Sequence, residues 1–174
     1  SNTTLGARTL QNAVQSHVNI AIGYESMRNS SGVSNSFNIG IGYQSLYQNK
    51  GENNVALGRS SGKSNINGIN NVAIGTSALA SSKNGDSNIA IGSSALANDT
   101  LSDSQVAIGR SALAFNGLGT GNTAIGTRAL VYNNEGSGNV ACGYEAMYGV
   151  GIAPYSSGNF NASFYPGQKF FLLN

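Results

Sequence analysis

Seven carboxylates, one histidine and one cysteine are the residues of this chain most suited to acid–base, nucleophilic or metal chemistry. The carboxylates are Glu25, Glu52, Asp86, Asp99, Asp103, Glu135 and Glu145. Cleaving a polysaccharide takes two of them across one sugar. Glu25 and Glu145 hold equivalent positions of a repeat, but seven copies apart, so one chain cannot pair them. Asp99 and Asp103 share a loop and read as solvated charge, at most a weak cation site. His17 has no partners for a triad or a metal cluster and reads as an exposed loop side chain. Cys142 occupies an isoleucine position and reads as a small buried hydrophobe. The run Gly58-Arg-Ser-Ser-Gly-Lys-Ser64 is one residue short of a phosphate-binding loop, and no helical pattern follows it. No catalytic, cofactor-binding or metal-ligating residue is assigned, and the chain is expected not to be an enzyme.

What positions these residues is a repeat. The phrase Asn-hydrophobic-Ala-Ile-Gly-x-x-Ala-Leu occurs nine times, opening at Asn2, Asn19, Asn38, Asn54, Asn71, Asn88, Gln105, Asn122 and Asn139. The period is 17 residues, apart from one interval of 19 and one of 16. So short a period means one small supersecondary unit stacked on copies of itself. Within the phrase, β-branched residues alternate with small ones, as in Val72-Ala73-Ile74, which favours a strand. The spacing predicts that Val72 and Ile74 point into the coil and that Ala73 faces out, where a second surface approaches closely. Glycine then fills the next position in all nine copies, Gly6 to Gly143, and reads as a corner. Four residues on lies a second apolar file, from Leu10 to Met147, broken only by Gly62. The connecting stretches, such as residues 80–87, are turn-rich and variable and read as solvent-facing loops. The opening Asn column is expected to form a ladder of stacked amides, with Gln105 substituting.

These units make a β-solenoid of about nine coils, a rod on the order of 40 Å long. Charged residues are 9 % of the chain and net charge is +2, so no basic field points to nucleic acid. The longest apolar runs, residues 170–173 among them, fall far short of the roughly 20 residues that span a bilayer, so membrane insertion is not expected. The reading divides the chain into a repeat domain, residues 1–147, and an aromatic-rich capping or tip segment, residues 148–174. Both prolines and seven of the 14 aromatics fall in that segment. Aromatic faces stack on sugars, so Tyr148, Tyr155, Phe160, Phe164 and Tyr165 are candidate receptor-binding residues, with Tyr47 and Lys50 from the loops.

Asn71-Val-Ala-Ile-Gly-Thr-Ser-Ala-Leu79 and its copies at Asn88, Gln105 and Asn122 resemble the YadA-like head repeats of trimeric autotransporter adhesins. They are still more similar to the related repeats of phage and viral tail fibres. The resemblance covers residues 2–147. It implies an all-β, left-handed parallel β-roll assembled as a homotrimer. It also implies a virion tail-fibre segment supporting recognition of a host surface glycan or outer-membrane receptor. The alternatives it leaves are the head of a bacterial cell-surface adhesin and a purely structural fibre spacer.

Overall fold

The computed structural model describes residues 1–13, 17–30, 35–148, 161–163 and 170–171. Each copy of the phrase contributes one three-residue strand: β1 (Thr3–Leu5), β2 (Ile20–Ile22), β3 (Ile39–Ile41), β4 (Val55–Leu57), β5 (Val72–Ile74), β6 (Ile89–Ile91), β7 (Val106–Ile108), β8 (Thr123–Ile125) and β9 (Val140–Cys142). All nine pair in parallel and in chain order, each residue facing its equivalent in the next coil, so Val72 sits against Ile89 and Ala73 against Ala90. The coils of 19 and 16 residues keep this register (Ile20 to Ile39, Ile39 to Val55), so the loops absorb the difference. The architecture is an all-β solenoid. Two further strands continue the sheet beyond the repeats: β10 (Asn161–Ser163) runs parallel to β9, and β11 (Phe170–Phe171) runs antiparallel to β10. Among the described residues no helix is long and apolar enough to cross a membrane.

Tight turns close each coil. The corner glycine of β6, Gly92, has φ 131°, and its amide donates to Ile74 one coil back. Ser94, Leu96 and Ser104 then adopt φ of 59°, 49° and 59° in the same coil, the left-handed region that costs an L-residue about 1 kcal/mol or more. Leucine tolerates it because its side chain fills the lumen: Leu96 and Leu113 are fully buried.

The lumen corrects one expectation. From β2 to β9 the small residue of the strand points in, and its larger neighbours point out. Ala90 and Ala107 are completely buried, whereas Ile89 is 37 % exposed and Ile108 36 %. A coil of 17 residues encloses little space, and the closing leucine with the alanine before it (Ala95-Leu96, Ala112-Leu113) takes most of it. Only alanine fits opposite. Where methionine closes the coil at Met27, the strand position beside it is Gly40, whose added Cβ would lie 3.0 Å from the Met27 Cγ. Cys142 follows its column outward and is half-buried, contrary to the expected core placement.

Candidate functional site

Among the described residues, the sequence-predicted binding residues do not converge. Tyr47 and Tyr148 hold the same position of the repeat but lie six coils apart, about 29 Å at the ordinary strand spacing. Lys50 is exposed near Tyr47. Tyr155, Phe160, Phe164 and Tyr165 lie outside the described residues.

Tyr148 has aromatic company of another origin. Phe115 and Tyr132, equivalent residues of adjacent coils, stack with centroids 5.3 Å apart and planes 15° apart. Tyr132 meets Tyr148 edge-on at 5.7 Å. The Arg128 guanidinium lies 4.4 Å from the centre of the Tyr148 ring and donates to its hydroxyl (2.5 Å) and to the Glu145 carboxylate (2.7 Å). All three rings are exposed by more than a third. Their common feature in the sequence, aromatics exactly one period apart at 115 and 132, was hidden among loop residues read as variable. A cavity of about 300 Å³ lies beside them.

At the other end of the rod Glu25 is buried. It accepts from Gln44 (2.8 Å), Arg28 (2.6 Å) and Arg8 (3.4 Å). The Gln44 hydrogen bond, working against the cost of burial and helped by both arginines, holds its carboxyl below the usual range. Tyr24 and Tyr43 stack beside it at 5.7 Å. Glu145 is tied instead to Arg128, so the two equivalent glutamates serve separate ion pairs.

The phosphate-loop look-alike is occupied by the fold. The Gly58 amide donates to Ile41, Gly62 to Ala78 and Ser64 to Ala80, all on neighbouring coils, and the Ser61 hydroxyl bonds Gly58. The N–H groups a phosphate would need are spent on stacking. His17 is exposed, as expected, and its carbonyl accepts from Phe37.

The asparagine column is buried throughout its middle, but it is not chiefly the expected ladder of amide on amide. Each Asn Oδ1 accepts the backbone N–H of the next column member, as Asn71 does from Asn88 (2.9 Å). From Asn19 to Asn122 each Nδ2 donates to a carbonyl at the return turn, as Asn88 does to Ser102 (2.8 Å). Only at the end does Asn139 donate directly to the Asn122 side chain (3.0 Å). Main-chain groups claim the amides because a turn buried against the lumen must satisfy its N–H and C=O groups. Gln105 does both tasks, accepting from Asn122 N–H and donating to Gly119.

A second buried polar column, unforeseen in the loops, runs eleven residues after the first: Asn49, Asn65, Ser82, Asp99, Asn116 and Asn133. Here side chains do bond each other, Asn65 to Asn49 (2.7 Å) and Asn133 to Asn116 (2.8 Å). The chain of bonds breaks in the middle, where Asn65 Oδ1, Ser82 Oγ and Asp99 Oδ2 have no partner. Ser82 is too short to bridge its neighbours. Asp99 thus sits fully buried, its other oxygen held by Ser102 N–H and hydroxyl (3.2 and 2.6 Å). It points inward, away from Asp103, whose carboxylate instead accepts from the Asp86 amide one coil back. The expected shared-loop pair is therefore two residues facing opposite ways.

Burial raises the Asp99 carboxyl from 3.8 to about 6, against the lowering effect of the Ser102 hydrogen bonds. A folded-state value above the unfolded one makes the protonated form the stabilising one. Stability is therefore complete below about pH 4, declines as pH rises through 6, and is flat above. The ionised group costs about 3 kcal/mol at neutral pH. Asp99→Asn restores the column's usual residue and is expected to gain about 2–3 kcal/mol at pH 7. Urea unfolding at pH 4 and 7 checks this. The parent should lose stability between the two, and a variant showing the same loss would exclude Asp99 as its source.

Comparison with protein-family models, curated proteins and solved structures finds no match to this chain.

Proposed function

We propose that the chain is a segment of a trimeric attachment fibre, of the kind borne on phage or virus tails, which supports recognition of a host surface and catalyses no reaction. In this reading three left-handed rolls lie side by side along their strands, and host surface glycans or an outer-membrane receptor are the partners. The observation that supports it most is the outward face of the sheet. From β2 to β9 the first and third strand positions are Ile, Val or Leu with two exceptions, Thr123 and Cys142, and not one of them is buried. A continuous apolar band running the length of a rod marks a contact surface. Its occupant must repeat at the same pitch, because every coil presents the same rung. A second copy of this chain meets that condition by construction. An interface of such identical rungs gains about 25 cal/mol for each Å² of apolar surface covered.

Light scattering of the purified chain tests the assembly. The expected mass is three times that of the 17.8 kDa chain. Ile74→Lys with Ile91→Lys places charges on two half-exposed rungs without touching the lumen, and it should dissociate the assembly while preserving the β signal in circular dichroism. A parent that scatters as a single chain would sink the proposal. Adsorption of the labelled parent to candidate host cells, reduced in the dissociated variant through lost multivalency, tests recognition.

A further inference from the structure

The aromatic cluster around Tyr132 is one wall of a groove running along the rod axis. We infer that this groove, over the coils that begin at Asn88, Gln105 and Asn122, binds a neutral linear oligosaccharide lying parallel to the axis with about one sugar ring per coil. The inference deepens the attachment reading by giving it a site and a ligand class.

The groove follows from three equivalent positions of the repeat. Its floor is Ala97, Ala114 and Val131, small apolar residues over which the outer surface dips. Asn98, Phe115 and Tyr132 stand on one side, and Ser94, Ser111 and Arg128 on the other. Tyr148 closes the end. The coils opening at Asn2 to Asn54 carry Gln11, Arg28, Tyr47 and Lys63 in the floor position, whereas the coil opening at Asn71 already carries Ala80, so the small-residue floor is confined to the later coils of the rod.

Each wall does a different part of the recognition. A pyranose has one face of C–H groups and an equator of hydroxyls. Phe115 and Tyr132 stack with planes 15° apart and centroids 5.3 Å apart, spaced like successive coils, so each covers one face of the other. Their edges and uncovered faces offer apolar contact at low entropy cost. Across the groove the Ser94 and Ser111 hydroxyls both donate and accept, matching sugar hydroxyls in either direction. The Asn98 amide is fixed by its bond to the Ala114 carbonyl (3.1 Å).

Charge sets the class. Arg128 is the groove's one cation among its lining residues, and its guanidinium is already paired with Glu145 and bonded to Tyr148. An anionic sugar would have to compete with that carboxylate. A neutral one leaves the pair intact.

Titration of the full-length chain with maltohexaose, cellohexaose and mannohexaose, and with a hexamer of sialic acid as the anionic probe, reads the site through tyrosine fluorescence and calorimetry. At least one neutral hexamer should bind, and Phe115→Ala with Tyr132→Ala should weaken it at least tenfold. Tyr24→Ala with Tyr43→Ala, at the distant stack, should not change it. Phe115→Asn, which installs the residue present one coil earlier, keeps the test interpretable if the double variant misfolds, and should also weaken binding. No binding by any neutral hexamer, binding by the sialic acid hexamer alone, or affinity unchanged in the groove variants would each overturn the inference. Cell adsorption by a trimer that binds no hexamer defeats the groove and spares the attachment reading. Hexamer binding by a chain that is monomeric does the reverse.

Discussion

Gly92→Ala should abolish cooperative folding, or cost at least about 4 kcal/mol, although it adds one methyl group. Two effects combine at this corner. The backbone has φ 131°, where an L side chain is strained. An added Cβ would also lie 2.5 Å from the Gly109 carbonyl oxygen and 2.6 Å from its carbon, both in the backbone of the next coil. That backbone cannot yield alone, because the Gly109 amide is bonded back to Ile91 (2.7 Å) and the same glycine column continues through Gly126 and Gly143. The control is Gly121→Ala. Gly121 has φ 65° with nothing within 4 Å of an added Cβ, so it should cost only the conformational penalty, about 1 kcal/mol. Urea denaturation followed by circular dichroism measures both. Equal losses in the two variants would show that coil-to-coil clearance is not what the glycine column provides.

The second large effect is expected at the closing leucines. Leu113→Ala removes a fully buried side chain from a lumen too narrow to collapse, and should cost about 3–5 kcal/mol. Leu113 also has φ 49°. Glycine relieves that strain while alanine does not, so Leu113→Gly should be no more damaging than Leu113→Ala, reversing the usual order. Gly62 is the protein's own instance of this exchange. It holds the leucine position at φ 55°, and the Leu46 Cδ2 atom leans to within 2.9 Å of where its Cβ would be. A Leu113→Gly variant clearly less stable than Leu113→Ala in urea would show that the turn stores no strain there.

How far the sequence could be read differs between the backbone and its faces. Periodicity, strand positions and corner glycines were legible because each column repeats one physical requirement, and all nine strands lie where the phrase placed them. The direction of each strand was not. Alternation in Val72-Ala73-Ile74 separates two faces without saying which is inside, and the usual preference for burying the larger side chains gave the wrong one. Lumen volume decides it, and that depends on Leu79 and Ala78 across the coil, residues a strand-by-strand reading does not weigh. The polar column through Asn65, Ser82 and Asp99 was hidden for a related reason. Its members differ in type and sit among turn residues, so only their fixed distance from the opening asparagine marks them. Phe115 and Tyr132 were concealed likewise. The candidate groove therefore emerged from geometry, while the end-segment aromatics drew attention by composition alone.

Among the described residues, the hydrogen bonds that join the coils run along the rod, and each coil is bonded to the one before and the one after. Tension applied to the two ends therefore acts on those layers in series. The outermost rung yields first, and every 17-residue coil that peels away releases a tether of about 60 Å of extended chain. A rod built this way gives under load in equal steps, dissipating a pull by lengthening before its middle is disturbed.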